Sequence, residues 1–334
     1  MQPLITLAIL VYNQERYISD CFNAAVAQNY KNMQIIISDD CSSDNSFEQI
    51  RQLAGTYKGP HAILLNKNKK NIGTLAHFYE ISKLTAGEYL VVNAGDDWSH
   101  PDRIQQIADR FASTDAKVLI SDYVLVADDG QIIDNHYVPK ILFPKYFKGV
   151  EFTPIHGASA AYDMKLLRAL RPPEQRTLYE DSFFTLGTLL EGGRIDRIAE
   201  PLVYYRQSPM SVSNNPEVEI SLSAVTEREK KTTLNAQYIL VVLEWFRNEV
   251  IRRHLNSKVN LQELDADIAH YRHRAVWLDA SFPARLKDVL SSRRGSYLHW
   301  GVPRLFGVSG LTRFKAARQR VRLFTGHARG PSRA

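Results

Sequence analysis

The chain has 334 residues, of which 44% are hydrophobic, and a formal net charge of +6. That length and composition fit one large globular domain with an appendage, or two domains, and exclude a disordered chain. Residues 281–334 hold 12 Lys or Arg and one acid, a net of +11, against 30 Lys or Arg and 35 acids elsewhere, a net of −5.

The first hundred residues alternate two patterns. Leu4 to Val11 is a near-continuous apolar run, the signature of a strand covered on both faces. Residues 15–29 suit a helix with Tyr17, Ile18, Cys21, Phe22 and Ala25 on one face. A second strand is expected over 34–38, a helix over 46–57, a third strand over 62–65, a helix over 74–85 and a fourth strand over 89–92. This βαβαβαβ rhythm predicts a mainly parallel, twisted sheet flanked by helices, the Rossmann-like α/β class. Ligands of such sheets bind beyond the carboxyl ends of the strands.

The unusual residues of this half lie at those ends. Tyr12-Asn13 follows the first strand, Asp39 to Asp44 the second, Asn71-Ile72-Gly73 the third, and Gly95-Asp96-Asp97 the fourth. Adjacent carboxylates repel, so a site that keeps both supplies a cation or strong donors. A divalent ion carrying a diphosphate is a natural partner, since Mg²⁺-like ions take one or two carboxylates plus phosphate oxygens.

Farther on, 118–123 reads as a strand, and 124–133 as a hairpin turning at Asp128-Asp129-Gly130. Ile155 to Tyr162 is small and apolar, as close packing near a ligand requires. A helix is expected over 163–170, and another opens at Tyr179-Glu180-Asp181 and runs to about 191. Past 215, residues 219–254 and 261–279 read as helices without a catalytic pattern, with Trp245 and Trp277 as core. The expected domains are therefore 1–213, the α/β part, and 214–334, a helical region with a basic amphipathic tail at about 296–325.

These pieces, in order, resemble inverting family-2 glycosyltransferases of the GT-A fold. The matching residues are Ile9 to Asn13, Ile36 to Asp44, Asn71-Ile72-Gly73, Gly87 to Leu90, Gly95-Asp96-Asp97 with Pro101, Tyr179 to Ser182, and Glu200 to Arg206. The resemblance implies a nucleotide-sugar site in which Tyr12 borders the base and Asp39 accepts from a base imide N–H, as uracil or thymine would provide. Asp40 is the second member of that pair. Asn71 and Gly73 lie near the nucleotide, Asp96 and Asp97 hold Mn²⁺ or Mg²⁺ and touch the ribose or sugar, and Asp181 is the general base. His156 is a candidate contact to donor sugar or acceptor, and Arg206 either reaches the diphosphate or forms a structural ion pair.

The resemblance also implies inversion in one step, with no covalent intermediate. The family's first acid is replaced by Ala94, and the Gln/Arg-x-x-Arg-Trp motif of processive synthases is absent, which favours transfer of a single sugar. A UDP-sugar donor and a saccharide or lipid-linked acceptor, in bacterial surface-polysaccharide assembly, are the expected substrates and setting. Two other functions compete: a degenerate scaffold or glycan-binding module, and a sugar nucleotidyltransferase. The latter lacks a Gly-rich, cation-bearing triphosphate loop after the first strand.

The remaining expectations concern location. No apolar run reaches the ~18 residues of a transmembrane helix, and the N-terminus lacks a signal-peptide pattern. Cys21 and Cys41 read as free thiols of a reducing cytoplasm. Leu311, Phe314, Ala317, Val321 and Phe324 fall on one helical stripe among Arg313, Lys315, Arg318, Arg320 and Arg322, the pattern of a helix lying on an anionic membrane surface. A helix docked on its own domain is the alternative, and no nucleic-acid recognition motif stands out.

Overall fold

The structure is a computed structural model that describes residues 2–137, 146–150, 154–207, 221–291 and 301–326, with the backbone alone at 288, 291 and 318–326. The chain forms two compact units, Met1–Asn214 with Asn248–Val259, and Asn215–Arg247 with Asn260–Ala334.

The first unit is built on β1 (Ile5–Val11), β2 (Met33–Asp39), β3 (Ala62–Lys67) and β4 (Tyr89–Ala94), parallel in the order β3-β2-β1-β4. Helices α1 (Ile18–Val26), α2 (Ser46–Thr56) and α3 (Thr74–Leu84) make the crossovers. β1 has a strand on each side, and Ile5, Leu7, Ala8 and Ile9 are wholly inaccessible. Each large side chain of this kind contributes about 1.5–3 kcal/mol, which is why the strand reads as one apolar run. At the sheet edge, β3 instead alternates exposed and half-buried positions. α4 (Arg103–Ser113), absent from the sequence expectations, buries Ile104, Ile107, Ala108 and Phe111 on one face.

Past β4 the sheet becomes mixed. β6 (Ala116–Ala127) and β7 (Ile132–Tyr137) form the expected hairpin, turning at Gly130 with a φ of 87°. β8 (Ala161–Asp163) lies antiparallel between β4 and β6. It follows a 3-10 turn, Gly157–Ser159, set against the carboxyl end of β4, so it can only run back along that strand. β9 (Arg194–Gln207) runs parallel to β6, and β5 (Trp98–Ser99) antiparallel to β9. Beyond β4 the sheet is mixed, with the long β6–β9 pairing parallel and β5, β7 and β8 antiparallel to their neighbours. α5 (Met164–Ala169) and α6 (Glu180–Leu190) complete this part.

In the second unit lie α7 (Leu222–Arg252, less its last turn), α8 (Leu261–Val276), α9 (Phe282–Ser291) and α10 (Gly307–Gly326). Glu229 of α7 is 1% exposed and ion-pairs Arg304 at 2.8 Å and Lys315 at 3.4 Å. Trp277 is buried, as expected of core. The predicted tail stripe is divided: Leu311 is 2% exposed, whereas Phe314 is 47% exposed. The side chains of Val321 and Phe324 lie outside the described residues. Among the described residues, no helix is long and apolar enough to cross a membrane.

Candidate active site

The turns after β1 and β2 interlock. Asn13 and Cys41 adopt φ values of 53° and 65°, a region that Asn tolerates better than most residues. Asn13 N–H donates to Ser42 Oγ at 2.9 Å, and Ser43 N–H donates to Asn13 Oδ1 at 2.8 Å. These bonds set Asp39 at the floor of the paired turns. It is wholly buried, and its Oδ1 accepts from Ser42 N–H at 2.9 Å. Its Oδ2 is buried with no partner.

Asp40 is used up in another way. It accepts from Gly73 N–H at 2.9 Å, Ile72 N–H at 3.0 Å and Asn68 Nδ2 at 2.8 Å, and so fastens the loop between β3 and α3. Gly73 has a φ of 84°, and a Cβ there would sit 2.7 Å from Arg176 Nε. Asn71 Oδ1 accepts from Arg176 Nη2 at 2.7 Å. Asn71 and Gly73 thus shape the loop and receive Arg176. Tyr12, 49% exposed, leaves ring surface open after β1.

The acidic pair occupies the turn after β4. Asp97 is 1% exposed, its Oδ1 accepts from Arg206 N–H at 2.8 Å, and its Oδ2 is buried with no partner. Asp96 is less buried, and its Oδ1 accepts from Gln14 Nε2 at 2.9 Å. Burial, then repulsion from Asp96, holds the Asp97 carboxyl well above the usual carboxylate range, and burial also raises Asp96. A cation between them would reverse both shifts. Among the described residues no group of three or more His, Cys, Asp or Glu could hold a metal by itself. The pair nevertheless fits Mn²⁺ or Mg²⁺, which needs one or two carboxylates when phosphate oxygens and water complete the shell. The orphaned Asp97 oxygen is the observation that supports this fit.

Two arginines near this turn hold it in place. Arg206 Nε donates to Asp96 O at 3.0 Å, Nη1 to Asp128 O at 2.6 Å and Nη2 to Asp20 Oδ2 at 3.0 Å. Its guanidinium also lies 4.7 Å from the Tyr17 ring and 4.8 Å from the Trp98 ring. Of the two roles open to it in the sequence, these contacts match the structural one. Arg103, which sequence reasoning missed, is fully buried. It donates to Asn93 Oδ1 at 2.8 Å, Ser99 Oγ at 3.0 Å, Val92 O at 2.9 Å and Ala158 O at 3.4 Å. It ties the 157–159 turn to the end of β4, and burial pushes it down to about 10. Next to Asp102 it reads as an ordinary surface residue, so no local signal marks it.

Asp181 stands in the first turn of α6. A Cβ on Gly157 would lie 2.5 Å from Asp181 Oδ1 and 3.2 Å from Glu180 Oε1, so the glycine permits the approach of both acids. Asp181 Oδ1 is buried without a partner. Burial raises the Asp181 carboxyl to about 6, against the opposing pull of the Gly157 amide and Glu180. Burial and the neighbouring Asp181 push Glu180 well above its usual range. Both carboxyls are thus shifted upward by burial, and Glu180 is pushed further by its neighbour.

His156 precedes Gly157. It stacks on Tyr123 at 4.9 Å and meets Tyr205 edge-on at 5.3 Å. Burial lowers its imidazole to about 4, so it is neutral, and its Nδ1 has no partner.

Contacts join most of these residues into one sequence. Asp39 leads through Ser42 to Asn13, beside Gln14 and thus Asp96. Asp97 leads through Arg206 to neighbouring Tyr205, then His156, Gly157 and Asp181. Tyr12 adjoins the first part, while Asn71 and Gly73 connect through Asp40. Gln14, Arg103 and Arg176 were not anticipated: Gln14 and Arg176 owe their places to partners remote in sequence, and Arg103 owes its place to burial against the end of β4.

Three comparisons bear on this geometry. The profile of glycosyl transferase family 2 matches residues 6–170. Glycosyltransferase GlyA of Streptococcus pneumoniae serotype 4 is 23% identical over 61% of this chain and 30% of its own length. Putative glycosyltransferase EpsH of Bacillus subtilis is 24% identical over 69% of this chain and 64% of its own. The chain thus spans less than two thirds of either relative. Among solved structures, S. aureus TarS 1–349 in complex with UDP-GlcNAc superposes with a TM-score of 0.55 at 15% identity, covering 95% of this chain and 91% of that one. The mannosyltransferase PcManGT from Pyrobaculum calidifontis, in complex with GDP-Man and Mn²⁺, gives 0.52 at 13% identity, covering 94% and 88%.

Proposed function

We propose that the chain, which is similar to glycosyl transferase family 2 over residues 6–170 and shares the GT-A fold of the solved structures, transfers one sugar, with inversion, from a uridine-diphosphate sugar to a hydroxyl of a saccharide or lipid-linked acceptor. The observation that carries the reading is a set of three orphaned oxygens. Asp39 Oδ2, Asp97 Oδ2 and Asp181 Oδ1 are buried carboxylate oxygens without hydrogen-bond partners. A buried carboxylate oxygen left in this way needs a partner, and a ligand or ion can supply it. A base imide, a divalent ion and an acceptor hydroxyl would satisfy one each.

The base follows from what Asp39 has left. Its Oδ1 already accepts from Ser42 N–H, so a single oxygen remains. Guanine presents two neighbouring N–H donors that call for both carboxylate oxygens, whereas uracil presents one imide N–H between two carbonyls. Tyr12 would border that ring. Asp96 and Asp97 would hold Mn²⁺ or Mg²⁺, which when bound stabilises charge on the departing diphosphate. Asp181 takes the proton of the acceptor hydroxyl while that oxygen bonds to the anomeric carbon. The bond from that carbon to the diphosphate oxygen breaks, leaving an inverted glycoside and UDP. Glu180 orients the Asp181 carboxylate, and His156 would face the sugar being moved.

Surface-polysaccharide assembly is the setting in which we place this activity. The basic C-terminal segment would hold the enzyme on the inner face of an anionic membrane. Phe306, 71% exposed, and Phe314 support that placement, beside the exposed Arg313. Co-sedimentation of the full chain with anionic but not neutral vesicles tests it.

Calorimetric titration of UDP and GDP, with and without Mn²⁺, tests the donor and metal assignments. Metal-dependent UDP binding that Asp96→Ala/Asp97→Ala removes is the expected result. Tighter binding of GDP, or binding indifferent to metal and to both substitutions, would overturn them.

A further inference from the structure

We propose that Arg176 is a specificity-determining residue of the donor site, whose guanidinium donates to a uracil carbonyl beside the imide N–H accepted by Asp39. This rests on the uridine-nucleotide reading above. Arg176 lies on the loop leading into α6, and its side chain reaches the loop that Asp40 fastens, one residue along the chain from Asp39. Its Nη2 donates to the neutral Asn71 Oδ1 at 2.7 Å. Among the described residues no carboxylate forms an ion pair with it, so most of its donors remain for a ligand.

Arg103 and Arg206, in contrast, are 0% and 4% exposed and committed to several protein oxygens each. Glycine at residue 73 leaves room for Arg176 where it lies: a Cβ there would come within 2.7 Å of its Nε. Here the sequence provides an exposed cation, a glycine seat and a neutral amide that parks the guanidinium.

Complementarity sets its partner. The uracil edge runs carbonyl, imide N–H, carbonyl. Asp39 Oδ2 offers one acceptor, and Arg176 supplies a donor beside it. Cytosine replaces one carbonyl by an amine and the imide N–H by a bare nitrogen, so it loses the bond to Asp39 and repels a donor at the amine. Base choice then comes from two elements far apart in sequence, β2 and the loop before α6. That same loop carries the chain into the turn bearing Asp181, so nucleotide recognition and base placement share one segment.

The test is titration of UDP, CDP and uridine into the full chain, wild type against Arg176→Ala and Arg176→Gln, with uridine followed by ligand-observed NMR. Loss of a charged hydrogen bond predicts UDP and uridine both weaker by about tenfold or more in Arg176→Ala, with a narrowed preference for UDP over CDP. Arg176→Gln, which keeps a donor, should recover part of that preference. The apo melting temperature should not move, since the side chain is exposed. Unchanged UDP affinity overturns the assignment. So does a loss confined to UDP with uridine unaffected, which would put the guanidinium on the diphosphate. Wild-type protein that binds no uridine nucleotide refutes the donor reading itself, an outcome distinct from either failure in the variants.

Discussion

Gly157→Ala should separate donor binding from turnover. The new methyl would stand 2.5 Å from Asp181 Oδ1, and ordinary van der Waals contact begins at 3.4 Å, so the carboxylate must retreat by roughly 0.9 Å. It has little room to do so, because Asp181 is a short side chain in the first helical turn and Glu180 Oε1 lies only 3.2 Å from the same methyl. A misplacement near 1 Å costs on the order of 100-fold in rate when it separates a base from its proton. Overpacking of this kind costs about 1–3 kcal/mol of stability, small enough for the protein to remain folded. Asp39, Asp96 and Asp97 are untouched, so UDP affinity should hold. The assay is steady-state UDP release from the donor sugar, paired with a UDP titration and a melting curve. Turnover within threefold of wild type in folded protein would refute the role given to the 157–181 contact. An equal fall in UDP affinity would show that the turn serves the donor instead.

Asp181→Asn should lower turnover by about 10²–10⁴-fold, the usual worth of a positioned general base, whereas Glu180→Gln, which keeps a polar group of the same shape, should lose only a few-fold. Equal losses would contradict the assignment of roles. With the Asp181 carboxyl at about 6, kcat/KM should climb tenfold per pH unit below that value and level off above it. The stability effect has the opposite sense: a carboxyl raised by burial stabilises the fold at low pH and loses that contribution as pH rises through about 6. Mn²⁺ with UDP should raise the melting temperature more at pH 7.5 than at pH 5, because Asp96 and Asp97 must shed protons to hold the ion. A shift independent of pH, or retained in Asp96→Ala, would count against the metal site. In the second unit, Glu229→Gln leaves Arg304 and Lys315 without their buried partner and should cost about 3 kcal/mol; an unchanged melting curve would show that the ion pairs are dispensable.

The local sequence determined the parallel half of the sheet and the strand ends where the acidic turns fall. Burial on both faces forces continuous apolar runs at β1, β2 and β4, and short polar turns must follow them, so Asp39, Asp96 and Asp97 stand out without a structure. Asp181 stood out through the family resemblance, since an acid at the opening of a helix also reads as an ordinary first-turn residue. Partner choice was decided only by the tertiary fold. Asp39 and Asp40 are adjacent acids in one turn, yet Asp40 is consumed by the backbone of Ile72 and Gly73 while Asp39 keeps a free oxygen. Arg103, Arg176 and Arg206 are alike as residues, but one is buried beneath β4, one lies open against Gly73 and one is clamped between aromatic rings. Helical periodicity put Leu311 and Phe314 on a common stripe, and packing turned the first inward and left the second in water. Propensity and periodicity act over a few residues, whereas the satisfaction of a carboxylate or guanidinium also draws on atoms far away in the chain, as Arg206 does with Asp20 and Arg176 with Asn71.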